Sequence, residues 1–342
     1  MNNIGSSAPH MHRQRSVAMV MREVCYALVP GMLVAVYLFG SGVIIQCLLA
    51  CLAAVGSEAL ILKLRQRPIS FYLQDCSALL TGLLIGLTVS PLTPWWLTVM
   101  AAVFAIVVAK HLFGGIGHNL FNPAMAGYVF VLLCFPTAMA VWPDVTTPAP
   151  AWATTIKSIF VAGGPPDAVS GATPLGWLRT ELSSMAMLSE LQSSPLLGLF
   201  GGRGWEWLAT AWLLGGGWLL FRGIIRWPIP VAVLMGCLVP ALLFHAFDPD
   251  AYAAPILHLF SGGLMLGAFF IATDPVSAAT SRRGRLVYGA GIGLAVYLIR
   301  TFGIYPDGIA FGVLMMNALV PLIDHYTRPP VIGEKCSGTA NG

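Results

Sequence analysis

Thr81-Gly82-Leu83-Leu84-Ile85-Gly86-Leu87, which leads to Thr93-Pro94, lines up with Gly262-Gly263-Leu264-Met265-Leu266-Gly267-Ala268, which leads to Asp274-Pro275. The offset is 181 residues throughout, from 81 to 262 and from 94 to 275. Farther on, Asn122-Pro123-Ala124-Met125-Ala126-Gly127 roughly matches Pro306-Asp307-Gly308-Ile309-Ala310-Phe311 at a slightly larger offset. A chain that repeats itself at this distance is built from two related halves, and the number of membrane crossings between the copies decides how the halves are related.

Hydrophobic residues make up 57% of the 342, charged residues 9%, and mean hydropathy is +0.79. A water-soluble globular chain does not show that profile. The hydrocarbon core of a bilayer is about 30 Å thick and takes about 20 apolar residues per helix. Ten apolar runs separated by Pro, Gly or charge emerge on that scale. They are Val24 to Phe39, Val43 to Leu62, Cys76 to Val89, Trp95 to Val108 and Ala124 to Val141, then Trp205 to Phe221, Ile229 to Phe247, Ala254 to Ile271, Leu286 to Ile299 and Ile309 to Ile323. Numbered one to ten, they make span three the copy of span eight, and span five the copy of span ten. Five crossings separate the copies, an odd number, so the halves are inverted. The expected fold is an all-α polytopic membrane protein of about ten transmembrane helices in two inverted five-helix repeats. Its parts are a cytoplasmic N-terminal segment (1–22), a first repeat (23–142), a loop (143–204), a second repeat (205–326) and a cytoplasmic tail (327–342).

Cytoplasmic loops retain Lys and Arg. With the N-terminus inside, Arg13, Arg15, Arg22, Lys63, Arg65, Arg67, Lys110, Arg222, Arg226, Arg282, Arg283, Arg285, Arg328 and Lys335 fall on the cytoplasmic side. Lys157, Arg179, Arg203 and Arg300 fall on or near the other. Both termini are therefore expected in the cytoplasm and the long loop outside it. The net charge of +4 reflects this topology and points to no nucleic-acid partner. The basic N-terminus runs into an apolar stretch without a small-x-small cleavage site and reads as an uncleaved anchor. The seven cysteines contain no C-x-x-C pair, which speaks against a metal or iron–sulfur cluster.

The long loop carries a polar island, Asp167-Ala168-Val169-Ser170-Gly171-Ala172-Thr173-Pro174-Leu175. Small neighbours leave the Thr173 hydroxyl clear, and Gly171 permits φ > 0. Successive backbone N–H groups in such a turn can cradle phosphate oxygens; the same residues also suit a plain solvated turn. Leu178, Leu182, Met185 and Leu188 approximate a helical stripe over about Gly176 to Leu191, expected to pack on the membrane domain.

Ser170-Gly171-Ala172-Thr173 with Asp167 three residues ahead resembles the flavin-attachment motif of the NqrB/RnfD family of ion-translocating electron-transport subunits. Gly114 through Ala124, Thr273-Asp274-Pro275-Val276, and Gly289 through Arg300, Tyr305-Pro306-Asp307-Gly308 and Met316-Asn317 extend the resemblance to about residues 20–330. The short N-terminus favours the RnfD branch. The resemblance implies FMN held as a phosphoester on Thr173, with Asp167, Ser170, Gly171 and Ala172 forming the attachment site. It implies a flavin transferase that works outside the bacterial cytoplasmic (inner) membrane, reaching Thr173 on the periplasmic side. It implies RnfA, RnfB, RnfC, RnfE and RnfG as partners, and electron relay between ferredoxin and NAD coupled to Na⁺ or H⁺ movement. No strand with a G-x-G-x-x-G fingerprint is present, so NAD chemistry belongs to another subunit. An NqrB-type subunit of a quinone-reducing Na⁺ pump, and a solute transporter or channel, remain as alternatives.

Non-helical backbone at membrane depth survives where protein or water satisfies it. The Gly114 to Ala124 run with Asn119 and Asn122, and the Thr273-Asp274-Pro275-Val276-Ser277 turn, are expected breaks at the cytoplasmic side; Asp307 is expected at the outer side. These residues are candidates for a second, noncovalent flavin such as riboflavin, for an ion path or for a helix contact, and equally for helix caps. Glu58, Asp75 and Asp324 read as interfacial, the histidines as structural, and Trp95, Trp96, Trp205, Trp207 and Trp227 as interface anchors.

Overall fold

Among the described residues, five helices are long and apolar enough to cross a membrane: Val17–Phe39, Gly42–Leu64, Pro228–Phe247, Arg282–Phe302 and Ile309–Tyr326. Shorter apolar helices, Ser77–Thr88, Trp95–His111 and Pro123–Cys134, stand among them, and Trp205–Phe221 forms as expected. The chain is an integral membrane protein. This computed structural model describes residues 16–161, 169–184, 187–191 and 193–328. Asp167 lies outside the described residues, as do Arg13, Arg15, Met185, Lys335 and Cys336.

Most span edges fall within a few residues of expectation, and the differences have local causes. Span one begins at Val17, where the Ser16 hydroxyl caps the Met19 N–H at 3.2 Å, so Arg22 lies inside the helix and not in an N-terminal segment. Span five stops at Cys134, because Pro136 cannot donate to the helix ladder; a separate turn, Pro136–Ala140, follows. Span eight is broken into Pro255–Phe260 and a piece beginning at Leu264. Between them Ser261 is extended and Gly262 has φ 71°. Spans four and eight both finish in π-helix, Ala105–His111 and Gly267–Ile271, a widened turn that re-aims side chains.

Two cations expected outside helices are buried in them. Lys110 sits in the π turn of span four, and Arg300 inside span nine. Trp205, expected as an interface anchor, is 7% exposed and packs against Phe39 and Trp142; Trp95, Trp96, Trp207 and Trp227 are exposed as expected.

Small residues set the packing. A Cβ on Gly289 or Gly293 would lie 2.7 and 2.1 Å from the Ile229 and Val233 carbonyl oxygens, so spans seven and nine touch backbone to backbone. Gly82 and Gly86 bring span three equally close to Cys51 and Cys47 of span two. In the first half, span two packs on three and four, and four on five; in the second, span seven packs on eight and nine, and nine on ten. The halves meet where span one lies on six and span five on ten.

The long loop is more structured than its Pro and Gly content suggests. Trp142–Pro143 pairs antiparallel with Ser170–Gly171, and helices Trp152–Phe160, Pro174–Ser183 and Leu188–Leu191 form in the same loop. The single helix expected over 176–191 is thus two. Its stripe does pack on the membrane domain, Leu178 and Leu188 against Ala253 with Leu257 beside them.

Candidate functional site

Thr173 is the N-cap of Pro174–Ser183: its backbone is extended, with φ −67° and ψ 150°, and its Oγ1 accepts the Gly176 N–H at 3.1 Å. Pro174 at the first helical position is pre-set for that role. The free N–H groups of a first turn and the helix dipole favour negative charge there, so a phosphate on this oxygen meets a ready partner. Gly171 lies in the strand pair and does not use the positive φ that glycine permits. Its need is space, since a Cβ would lie 2.9 Å from Asp144 Cβ and 3.0 Å from Asp144 Cα. Ala172 is exposed, Ser170 and Thr173 are half-buried, and Asp167 is outside the described residues.

Thr173 borders a cavity of about 580 Å³, within the range of about 300–1,000 Å³ typical of small-molecule sites. Its walls are largely apolar and include six aromatic side chains: Phe39, Trp142 and Trp205 stand with ring centroids 5.1 to 5.7 Å apart, and Tyr128, Trp212 and Tyr305 also line it. Such walls suit a flat ring system. Two more predicted site residues, Ala172 and Asp307, lie on the cavity wall. Asp307 comes from the segment before span ten. Its carboxylate accepts the Gly263 N–H at 2.6 Å and pairs with Arg300 at 3.1 Å, while Arg300 also donates to the His258 and Ser261 carbonyls. The pair therefore satisfies the backbone freed by the break in span eight. Gly262 is required here, because a Cβ would come within 2.5 Å of Asp307 Oδ2.

Asn119, Asn122 and Asp274 gather at the opposite end of the bundle, around a cavity of about 90 Å³. Val20 and Ser77 line it, at the far ends of the same helices whose Phe39 and Gly86 line the large one. Asn122 caps Pro123–Cys134 through Met125 N–H at 3.2 Å and donates to the Ile271 carbonyl at the end of the π turn. Asn119 donates to the Phe121 carbonyl, and Asp274 accepts from the Ser277 hydroxyl at 2.7 Å. Desolvation raises the Asp274 pKa, against the lowering effect of those Ser277 hydrogen bonds.

Reading the sequence missed a buried cluster beside this cavity. Lys110 Nζ lies 2.7 and 2.8 Å from the Glu58 carboxylate oxygens and 2.7 Å from Ser77 Oγ, with His111 Nε2 at 3.5 Å from Glu58. The available signal was Glu58 in an otherwise apolar run, since a carboxylate at that depth requires a cation.

Residues 4–333 match the NQR2, RnfD, RnfE family model. The chain is 50% identical to the D subunit of the ion-translocating oxidoreductase complex of Alcanivorax borkumensis over 342 residues, 98% of each chain. It is 47% identical to the protein of that name from Aliivibrio salmonicida and 46% identical to that from Escherichia fergusonii, in each case over 96% of this chain and 98% of the relative.

Proposed function

The chain belongs to the NQR2, RnfD, RnfE family, and on that premise we propose that it is the FMN-carrying membrane subunit of an Rnf-type ion-translocating oxidoreductase. The relatives' shared name supports an Rnf-type assembly over an NqrB-type quinone reductase or a solute transporter. The observation that carries the flavin assignment is Thr173 itself: a small-flanked hydroxyl at a helix N-terminus, lining an apolar cavity of about 580 Å³ that holds six aromatic side chains. Thr173 would hold the FMN phosphate at the positive end of the helix that it caps, with the Leu175 N–H of the first turn as a donor and the Trp142, Trp205 and Tyr128 walls beside the ring. The bound isoalloxazine supplies the electron-carrying chemistry; the protein supplies placement and exclusion of water.

The two-fold inverted architecture belongs to this proposal. It is supported by the packing scheme, in which each half repeats the other's helix contacts and the halves join through equivalent spans. Orientation follows the same logic. Lys63, Arg65, Arg67, Arg222, Arg226, Arg282, Arg283 and Arg285 flank span ends opposite Thr173, so the termini face the cytoplasm and Thr173 the periplasm, where a flavin transferase reaches it. Electrons pass between ferredoxin and NAD, bound on other subunits among RnfA, RnfB, RnfC, RnfE and RnfG, while Na⁺ or H⁺ moves. Carrying one charge across 100 mV takes about 2.3 kcal/mol, so a redox step of similar size suffices for one ion.

A second, noncovalent flavin such as riboflavin belongs at the inner cavity, between Asn119, Asn122 and Asp274. At about 90 Å³ that cavity is smaller than a flavin fills, so binding requires it to widen. Two flavins per chain after gentle extraction are expected, and one alone contradicts this part. For the covalent flavin, chain coexpressed with the transferase is expected to give a fluorescent band after denaturing electrophoresis, absent in Thr173→Ala. Fluorescence retained by Thr173→Ala overturns the assignment.

A further inference from the structure

The strand pair Trp142–Pro143 and Ser170–Gly171 closes an excursion that contains helix Trp152–Phe160. Trp152, Ile156 and Phe160 recur every four residues, which aligns them along one side of that helix. They are exposed, at 61, 46 and 47%. Thr155, Ser158 and Ile159 are buried, and both hydroxyls donate to carbonyls one turn back, Ala151 and Thr154. For a protein in water this helix is inside out, with hydroxyls inward and large apolar side chains outward.

Its surroundings say which solvent covers that side. The helix packs on span two and starts beside the turn joining spans one and two, where Ala149 lies against Gly40. Ile44, Leu48 and Leu52 of span two are exposed apolar residues on a membrane-crossing helix, so the stripe continues a lipid-facing surface. Trp95, Trp96 and Trp207 stand exposed near span ends on the Thr173 side, an interfacial belt that Trp152 extends. Lys157 is exposed on the same helix, where a long cationic side chain reaches lipid phosphates.

We propose that helix Trp152–Phe160 lies in the lipid headgroup region, its Trp152, Ile156 and Phe160 side sunk about 5–10 Å into the acyl boundary. Through the strand pair it holds the Thr173 loop against the membrane surface. The proposal does not depend on flavin attachment, since a chain without FMN presents the same stripe.

The test places p-benzoylphenylalanine at Ile156 in the assembled complex, in nanodiscs of phosphatidylethanolamine and phosphatidylglycerol. Illumination is expected to give a chain–phospholipid adduct by mass spectrometry, as it does at Leu48 of span two, and none at Ala172. An adduct at 48 without one at 156 overturns the proposal, and so does cross-linking of position 156 to another protein of the complex. In the same nanodiscs, amides of 152–160 are expected to exchange several-fold faster in Ile156→Asp than in the parent chain, with span amides unchanged. Equal exchange also overturns it.

Discussion

Gly171 and Asp307 show how single residues hold the attachment end together. Gly171 lies against Asp144, so a methyl group forces the strand pair apart without reaching the membrane helices. Gly171→Ala is accordingly expected to lower covalent flavin content several-fold, measured as gel fluorescence per chain, with an unchanged size-exclusion profile. Arg300 is almost fully buried and serves Asp307 and two carbonyls. Arg300→Met strands those acceptors, and loss of one partner of a buried pair costs about 3–5 kcal/mol. With the Asp307 carboxylate partly exposed, the lower end of that range is expected, read as a fall in thermal midpoint in detergent. Glu58 and Lys110 are both under 5% exposed, so Glu58→Gln is expected to cost the full range. Removing both charges, Glu58→Gln with Lys110→Met, is expected to recover part of the loss.

At the level of helices, apolar length was easy to read and interruption was not. Span six matched its apolar run residue for residue, because bilayer thickness imposes a length that composition reveals. The break in span eight went unread, although Ser261-Gly262-Gly263 marks it, because Arg300 and Asp307 come from distant sequence to satisfy it. Lys110 and Arg300 were assigned to helix edges for a related reason: hydropathy scores a charge as exposed, and only the fold shows its partner. In the loop the Thr173 motif was legible as a run of four residues, whereas its cavity is walled by five or more helices and has no local signature. Helix contact makes its own prediction. Gly293→Val is expected to abolish the monodisperse folded peak by separating spans seven and nine, whereas Gly56→Ala, with nothing within 4 Å, is expected to leave it intact.

The molecule places a large apolar cavity and a candidate modification site at one end, and a small cavity bordered by Asn119, Asn122 and Asp274 beside a buried ion pair at the other. Under the proposed function the Thr173 end would carry the electrons, and that reading rests on which side Thr173 faces and what it carries. Ala172→Cys is expected to react with an impermeant maleimide on intact spheroplasts, and protection until lysis reverses the topology. The most direct measurement is peptide mass mapping of chain matured in its native host, over the peptide holding Ser170 to Leu175. The account predicts an adduct of FMN less one water on Thr173; an unmodified peptide, in a complex that still moves electrons and ions, contradicts it.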